Sequence, residues 1–310
     1  MRRLAIIVPC LNEEEILPHS IGVLSATLNT LIDNKTIDAG SFLLLVDDGS
    51  TDATWQIISD RASAMVKGIT LTHRCGQQTA LLAGLEEALP EADILITIDA
   101  DLQDDVRVIP EMIKENEAGA DIVYGVRRDR HNDSWMKKNS AAAFYSTMRR
   151  LGVDCVSNHA DFRLMSSRAV ADLLDYGERN LYLRGLVPML GYRQACVYYD
   201  RESRMAGKSK YPLRKMFDFA IDGITSFSVR PVRMLFWLGI IFTLTALGIG
   251  IYSLIRHFSG ETIAGWTSLM LSIWFCTGVL LMGLGIIGEY IGKIYIEVKK
   301  RPRYKVADRV

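Results

Sequence analysis

The fold of this chain is decided by the stretch ILITIDADLQ, which occupies residues 94–103. Its first five residues are apolar or β-branched, and the acidic triplet Asp99-Ala100-Asp101 follows directly. A short apolar run of this kind is typical of a buried strand. Side chains at i and i+2 of an extended segment project to the same side, so Asp99 and Asp101 are expected to face one site. Paired carboxylates are suitable ligands for a hard divalent cation that neutralises phosphate groups.

Apolar runs of similar length recur at residues 4–8, 42–46, 69–72 and 122–124, with helical patterns between them. This alternation predicts an α/β fold with a mostly parallel sheet and helices on both faces. In such sheets, ligands bind beyond the carboxyl ends of the strands. Two further polar motifs follow predicted strands, Pro9-Cys10-Leu11-Asn12-Glu13 and Asp47-Asp48-Gly49-Ser50. They are expected to contact a base and ribose, or else to serve as turns, with Ser50 or Thr51 capping the next helix.

Charge is divided unequally along the 310 residues, although the 36 basic and 36 acidic side chains cancel. Residues 1–200 carry 20 Lys and Arg against 29 Asp and Glu, whereas residues 201–310 carry 16 against 7. An acidic first part favours metal or nucleotide chemistry, and a basic, apolar second part favours an anionic membrane surface over nucleic acid. The five cysteines form no CxxC pair, so neither a zinc site nor a disulfide framework is indicated.

Two uncharged stretches, at residues 234–255 and 262–288, are 22 and 27 residues long. As helices, each could cross a hydrocarbon core about 30 Å thick. Basic residues flank their outer ends, so the positive-inside rule predicts a two-helix transmembrane hairpin with both termini cytosolic; buried helices of a soluble core are the alternative. Apolar residues at spacings of 3 and 4 between 213 and 227 predict an amphipathic helix in the membrane interface, or one packed on the core.

Five motifs, in their order along the chain, resemble those of family 2 glycosyltransferases. They are Pro9-x-x-Asn12-Glu13, Asp47-Asp48-Gly49-Ser50, Asp99-x-Asp101-x-Gln103, Asp161-Phe162-Arg163-Leu164 and Gly207-x-Ser209-Lys210-Tyr211. With the predicted hairpin, they are most similar to the dolichol-phosphate-mannose-synthase-like branch, and within it to bacterial bactoprenol glucosyltransferases. The resemblance covers almost the whole chain. It implies a GT-A-like, nucleotide-sugar-binding domain. One departure is His73-Arg74-Cys75-Gly76, where the family often has Arg-Asn-Phe-Gly.

The resemblance also implies roles for individual residues. The donor nucleotide sugar would be bound by Pro9, Leu11, Asn12, Glu13, Asp47, Asp48, Asp99, Ala100 and Gln103. Mg²⁺ or Mn²⁺ would be held by Asp101 and Gln103. Donor and acceptor phosphates would be bound by Arg127, Arg163, Arg204 and Lys210. Asp101 and Asp161 are the catalytic candidates, Asp161 either as a general base or as a residue that positions Arg163 or the acceptor.

The resulting expectation is an inverting transferase that moves glucose from UDP-glucose to undecaprenyl phosphate at the cytosolic face of the inner membrane, for modification of a cell-envelope glycan such as lipopolysaccharide. Mannose or a modified amino sugar is an alternative cargo, and a homo-oligomer is possible. A processive polysaccharide synthase is disfavoured because the chain lacks a Gln-x-x-Arg-Trp motif, and a non-catalytic membrane scaffold because the motif set is complete. The expected parts are a catalytic domain (1–200), a basic acceptor loop with the amphipathic helix (201–231), two transmembrane helices (232–290) and a basic cytosolic tail (291–310).

Overall fold

The computed structural model of the protein describes residues 1–128, 159–179, 183–200 and 265–310, together with isolated helical residues between 232 and 255. Two compact units are present. The sheet unit contains the described residues up to 200 and residues 301–310, and the helical unit contains those from 232 to 300. Arg204, Lys210 and the predicted amphipathic helix lie outside the described residues.

The sheet unit is built from alternating strands and helices over most of its length. Its elements are β1 (Leu4–Cys10), α1 (Leu17–Asp33), β2 (Phe42–Asp47), α2 (Thr54–Asp60), β3 (Val66–Leu71), α3 (Gln77–Ala88), β4 (Ile94–Thr97), α4 (Ile109–Glu117), β5 (Ile122–Arg127), β6 (His159–Ser166), α5 (Ser167–Asp175), α6 (Leu183–Met189), β7 (Gln194–Tyr199) and β8 (Val306–Arg309), with 3-10 turns at Leu89–Glu91 and Val106–Val108.

The strands form one sheet in the order β7-β5-β6-β4-β1-β2-β3-β8. β1 runs parallel to β2 and β4, β2 is parallel to β3, and β5 is parallel to β7. β6 is antiparallel to both β4 and β5, and β8 is antiparallel to β3. The predicted α/β class with a mostly parallel sheet is therefore confirmed, although the sheet is mixed.

Helices cover both faces of this sheet. Successive side chains of β1 point to opposite faces. Ile6 and Val8 pack with Leu24 and Leu28 of α1 in the main core, whereas Ile7 faces α3. The approach of α3 is close: a Cβ at Gly84 would lie 2.4 Å from Ile7 Cγ2 and 2.8 Å from Val46 Cγ2.

All five predicted strands differ in extent from the observed ones: β2 and β4 differ by one residue each, and β5 continues beyond residue 124 to Arg127. β1 continues beyond residue 8 to Cys10 and so includes Pro9. β3 begins at Val66 rather than at residue 69. The prediction missed the first residues of this strand because Lys67 and Gly68 interrupt the apolar run, although both belong to the strand. The Lys67 ammonium bonds to Glu91 and lies 4.4 Å from the Phe42 ring centroid, which lets this charged side chain occupy a sheet position.

Residues 291–310, the predicted basic cytosolic tail, contain the end of a helix and an edge strand. A long helix, α7 (Trp266–Lys299), extends well past residue 290, and the residue that follows it, Lys300, has a left-handed φ of 46°. Residues 306–309 then form β8 on the outer edge of β3. The four residues of β8, Val-Ala-Asp-Arg, carry no alternating apolar signal and three of them are exposed, so the strand conformation depends on pairing with β3 rather than on burial.

α7 contains a segment, Phe275–Lys299, that is long and apolar enough to cross a membrane by length and composition. It is the one candidate span among the described residues. The structure thus supports one helix of the predicted hairpin. The residues described between 232 and 255 are helical, and within the helical unit the Phe242 and Phe275 rings lie 5.5 Å apart.

Candidate active site

Three of the sequence motifs lie at the same edge of the sheet, where β1, β2 and β4 end. Cys10 pairs with Asp47 in the β1–β2 register, and the Asp48 N–H donates to the Cys10 carbonyl at 2.9 Å. β4 flanks β1 on its other side, and the Ile98 N–H donates to the Ile7 carbonyl at 3.1 Å. The motifs that follow these strands therefore begin side by side.

The buried carboxylate of Asp48 holds the loop that precedes α3. Its Oδ1 accepts from the Cys75 N–H at 2.6 Å, and its Oδ2 accepts from the Gly76 N–H at 2.9 Å. Both donors are backbone groups, so the unusual side chains of residues 73–75 leave these bonds intact. Asp47 is also buried and accepts from Thr70 Oγ1 at 2.6 Å. These two acids shape the edge of the site.

The motif after β1 is bonded to the motif after β2. Asn12 has a left-handed φ of 53°, and its Oδ1 accepts from the Thr51 N–H at 2.8 Å. Neither Ser50 nor Thr51 caps α2, contrary to the alternative raised from the sequence. Instead, the Glu14 carboxylate accepts from the Ala53 N–H at 2.9 Å, at the start of that helix.

The acidic segment after β4 forms a tight turn. Leu102 has a left-handed φ of 43°, and the Gln103 N–H donates to Asp101 Oδ1 at 3.4 Å. Asp99 Oδ1 accepts from Gln77 Nε2 at 2.8 Å, so the first residue of α3 reaches this turn. Ala100 is buried, and its carbonyl accepts from Ser20 of α1 at 2.6 Å. The turn is thus fixed by helices on both faces of the sheet.

Negative charge is concentrated around Asp99. Burial raises the pKa of this carboxyl to about 7, and the charges of Asp161, Asp104 and Asp101 add to the effect, while Arg127 opposes it. A carboxyl group that is difficult to ionise among other acids is stabilised by a nearby cation. The chemistry of this edge therefore suits a bound divalent metal.

The number of protein ligands for such a metal is small. Within the described ranges, no three His, Cys, Asp or Glu side chains surround a common point. Mg²⁺ is commonly bound through one or two carboxylates, with phosphate oxygens and water as its other ligands. Asp101 and Gln103 fit that incomplete protein set, because a nucleotide diphosphate would supply further oxygens.

Asp161, on β6, is flanked by two arginines. Arg163 Nη2 donates to its Oδ1 at 2.7 Å, and Arg184 donates through Nε and Nη2 to Oδ1 and Oδ2, each at 3.2 Å. Arg163 is fully buried and also donates to the Leu183 carbonyl, at 3.4 Å. Arg163 was expected to contact a phosphate. A fully buried guanidinium is not accessible to a phosphate, and here it bonds to Asp161 and orients that carboxylate. Arg184 is partly exposed.

Arg127, at the end of β5, lies beside Asp104 and Tyr199. Its Nη2 and Nε donate to Asp104 Oδ1 at 2.8 and 3.1 Å. The Tyr199 hydroxyl donates to the same oxygen at 2.6 Å. Arg127 and Tyr199 are partners in the parallel β5–β7 register, so the two strand ends converge on Asp104.

Four residues of this site were not predicted from the sequence: Gln77, Asp104, Arg184 and Tyr199. Asp104 directly follows Gln103, so extending the acidic motif by one residue would have included it. The other three carried no local signal, because each reaches the site through the packing of a separate element.

Comparisons with known proteins cover both units. A family model described as Glycosyl transferase family 2 matches residues 5–174, and one described as GtrB C-terminal hairpin matches residues 230–294. The uncharacterized glycosyltransferase YkoT of Bacillus subtilis (strain 168) is 49% identical over 98% of this chain and 90% of its own length. The SfII prophage-derived bactoprenol glucosyl transferase of Shigella flexneri is 37% identical over 97% and 96%. A glucosyl-3-phosphoglycerate synthase structure from Mycobacterium tuberculosis has a TM-score of 0.46 and 17% identity, covering 72% of this chain and 78% of that chain.

Proposed function

Because the chain belongs to glycosyl transferase family 2, we propose that this glycosyltransferase moves glucose from UDP-glucose to undecaprenyl phosphate. The observation that carries the proposal is the extent of the similarity to bactoprenol glucosyl transferases, which covers 97% of this chain. It includes the acidic sheet edge and also residues 230–294, which match the hairpin model. With a lipid acceptor, the acidic sheet edge would bind the sugar donor and the apolar segment at residues 230–294 would hold the enzyme at the membrane that contains the acceptor.

The acidic edge is proposed to bind the donor. Asp101 and Gln103 would hold Mg²⁺ or Mn²⁺, which supplies positive charge against the departing diphosphate. The residues proposed to contact the nucleotide sugar are Pro9, Leu11, Asn12, Glu13, Asp47, Asp48, Asp99 and Ala100. Two of them, Asn12 and Asp48, accept hydrogen bonds from backbone N–H groups of neighbouring loops, so this part of the site is preorganised before the donor arrives.

In the proposed reaction, a phosphate oxygen of the lipid attacks C1 of the sugar. The new C1–O bond forms as the bond to the nucleoside diphosphate breaks, the electron pair leaves with the diphosphate, and the configuration at C1 inverts. A phosphate monoester with a second pKa of about 6 is largely ionised at neutral pH, so no proton needs to be removed. We therefore favour a positioning role for Asp161, because two arginines already bond to its carboxylate.

The basic residues are proposed to bind the phosphates. Arg127 lies at the sheet edge and would contact the donor diphosphate. Arg204 and Lys210 precede the predicted amphipathic helix in the sequence and would contact the acceptor phosphate. Arginine and lysine make charge-assisted hydrogen bonds to phosphate, which are roughly twice as strong as neutral ones.

The helical unit is proposed to anchor the enzyme as a two-helix hairpin, with both chain ends on the cytosolic side of the inner membrane. Apolar side chains along α7 are exposed, and that exposure suits contact with lipid. Examples are Leu280, Leu281, Met282 and Leu284, all at least 63% exposed. The ring contact between Phe242 and Phe275 supports pairing of the two stretches.

The test uses the purified full-length protein in lipid nanodiscs, with undecaprenyl phosphate and Mg²⁺. Radiolabelled UDP-glucose is compared with GDP-mannose and UDP-N-acetylglucosamine, and the extracted lipid is identified by mass spectrometry. We expect glucosyl phosphoryl undecaprenol with a β-linked sugar, and no product when undecaprenol without phosphate is the acceptor. Transfer from another donor alone would replace glucose as the cargo, and no labelled lipid from any donor would contradict the proposed reaction.

A further inference from the structure

The cluster of Asp104, Arg127 and Tyr199 concentrates three donors on one carboxylate oxygen. Two guanidinium nitrogens of Arg127 and the Tyr199 hydroxyl all donate to Asp104 Oδ1. Asp104 is only 2% exposed, and its other oxygen, Oδ2, is buried without a hydrogen-bond partner in the part of the chain that the structure describes. Among the described residues, all the hydrogen bonds that orient the Asp104 carboxylate are therefore made to Oδ1.

The Tyr199 ring has little freedom to move. It packs edge-on against Phe162, with ring centroids 5.7 Å apart and an interplanar angle of 76°. Gly125 makes the room for this arrangement, since a Cβ there would lie 2.5 Å from the Phe162 ring and 3.1 Å from Tyr199 Cε1. A ring fixed by its neighbours fixes the direction of its hydroxyl, and so the position of the Asp104 oxygen that accepts it.

Arg127 differs from its partners because it remains partly accessible. Its side chain is 28% exposed, whereas the Asp104 side chain is 1% exposed. The Arg127 side chain thus bonds to a buried carboxylate while part of it remains exposed to solvent. An arginine whose long side chain is already ordered loses less conformational entropy when it binds a ligand.

From this geometry we infer that Tyr199 and Asp104 are positioning residues, which hold the Arg127 guanidinium ready for the diphosphate of the nucleotide sugar. The inference rests on the proposed function, in which Arg127 contacts the donor. The placement of Asp104 supports the donor rather than the acceptor, because it follows Gln103 directly in the turn after β4. Tyr199 touches no substrate in this arrangement and acts through Asp104 and Arg127.

A double-mutant cycle tests this role. The variants are Tyr199→Phe, which keeps the packed ring, Arg127→Ala, and the two combined. We expect each single variant to weaken UDP-glucose binding, measured calorimetrically with Mg²⁺, by roughly tenfold and to raise KM by a similar factor. We expect the double variant to bind no more weakly than Arg127→Ala, because the Tyr199 hydroxyl would have lost the group it positions.

Tyr198→Phe is the matched control, because Tyr198 is the neighbouring strand residue, points to the opposite face and is 55% exposed. It should bind and turn over as the wild type does. Thermal unfolding of every variant separates positioning from folding, since a purely structural hydroxyl would lower the melting temperature and leave KM unchanged.

These measurements test the positioning role of Tyr199 separately from the proposed glucosyl transfer. Wild-type UDP-glucose binding by Tyr199→Phe, or losses that multiply in the double variant, would overturn the positioning role while leaving the transferase proposal intact. Wild-type binding by Arg127→Ala would remove Arg127 from the donor site and the inference with it. If the wild-type protein binds no UDP-glucose, the donor assignment itself is wrong.

Discussion

At the scale of single residues, the carboxylates at the carboxyl ends of the strands lie close enough to change the pKa of Asp99. The raised pKa of Asp99 arises first from its burial and then from three nearby carboxylates. A divalent cation at Asp101 would offset this repulsion and would at the same time attract the donor phosphates. The residues that shape the edge and those that would bind the donor thus depend on the same electrostatic balance.

Substitution of Asp101 is expected to lower kcat more than substitution of the other residues of the site. We predict that Asp101→Asn keeps the fold but lowers kcat by about two to three orders of magnitude, because stabilisation of the leaving diphosphate is lost. Initial rates of transfer at saturating Mg²⁺ measure the effect. Asp60→Asn, which changes an exposed carboxylate at the end of α2, should have normal rates. Near-normal turnover of Asp101→Asn would show that Asp101 does not bind the cation.

Asp121 is a buried carboxylate outside the active site, and it is predicted to couple folding to pH. Arg168 bonds to both of its oxygens at 2.6 Å, and this bonding holds the pKa of Asp121 below its ordinary value despite burial. A carboxyl whose pKa is lowered by folding stabilises the folded state above its unfolded pKa of about 3.9, and that contribution is lost as the pH falls through the folded pKa.

We therefore expect Asp121→Asn to lower the melting temperature at pH 7, and the difference from wild type to shrink as the pH approaches 3. Unfolding followed by circular dichroism in detergent across this pH range provides the measurement. A melting difference that stays constant with pH would show that the charge of Asp121 does not contribute.

Sequence reasoning reached the residues whose position is set locally. An acidic pair after β4 was predictable from the apolar run before it, although Asp99 and Asp101 lie in a turn rather than in the extended segment that was expected. Tyr199 was not, since it meets Asp104 from 95 residues away and only through the pairing of β5 with β7. The pairing of Asp161 with Arg163 was one of the two roles considered for that acid, but the full burial of Arg163 was not predicted, because a charged residue in a strand is expected to be exposed.

At the scale of elements, the contact between α3 and the sheet depends on a missing side chain. Gly84 lets α3 lie against Ile7 of β1 and Val46 of β2. This closeness matters to the site, because Gln77 at the first turn of α3 bonds to Asp99. The prediction from sequence placed a helix here but could not give its distance from the sheet.

We predict that Gly84→Ala destabilises the protein by about 1 to 3 kcal/mol, because the added methyl group overpacks the interface. Gly22→Ala is a matched control in α1, where a Cβ would meet nothing within 4 Å. That change should stabilise its helix by up to about 1 kcal/mol, since alanine has the higher helix propensity. Chemical denaturation of both variants gives the two free energies, and equal stability of the two would contradict the packing argument.

Strand prediction succeeded where a strand is buried on both faces and failed where pairing alone creates it. β1, β2 and β4 were expected because their residues form continuous apolar runs. β8 was not, because two of its four residues are charged and three of the four are exposed. Its conformation is supplied by β3, an element more than two hundred residues earlier in the chain.

At the scale of the whole molecule, the division of charge has a topological consequence that can be tested. A reporter fused after Val310 is expected to behave as cytosolic, and one inserted at residues 258–263 as external, because basic residues flank the outer ends of the two apolar stretches. Residues 258–263 lie outside the described ranges, so this prediction rests on the sequence. Accessibility of single cysteines to an impermeant thiol reagent in whole cells is an independent readout, and both sites on one side would rule out the hairpin.

The place of β8 at the sheet edge also bears on how the protein is made. Gly68 of β3 exchanges two backbone hydrogen bonds with Val310, each 2.9 Å long. Translation completes β3 early, and at about 5 to 20 residues per second residues 306–310 emerge roughly ten to fifty seconds later. Until then the outer edge of β3 has unpaired N–H and C=O groups, which are a template for joining a strand of another chain. A ribosome-bound intermediate is therefore open to aggregation at this edge, and pairing of residues 306–310 with β3 removes the unpaired groups.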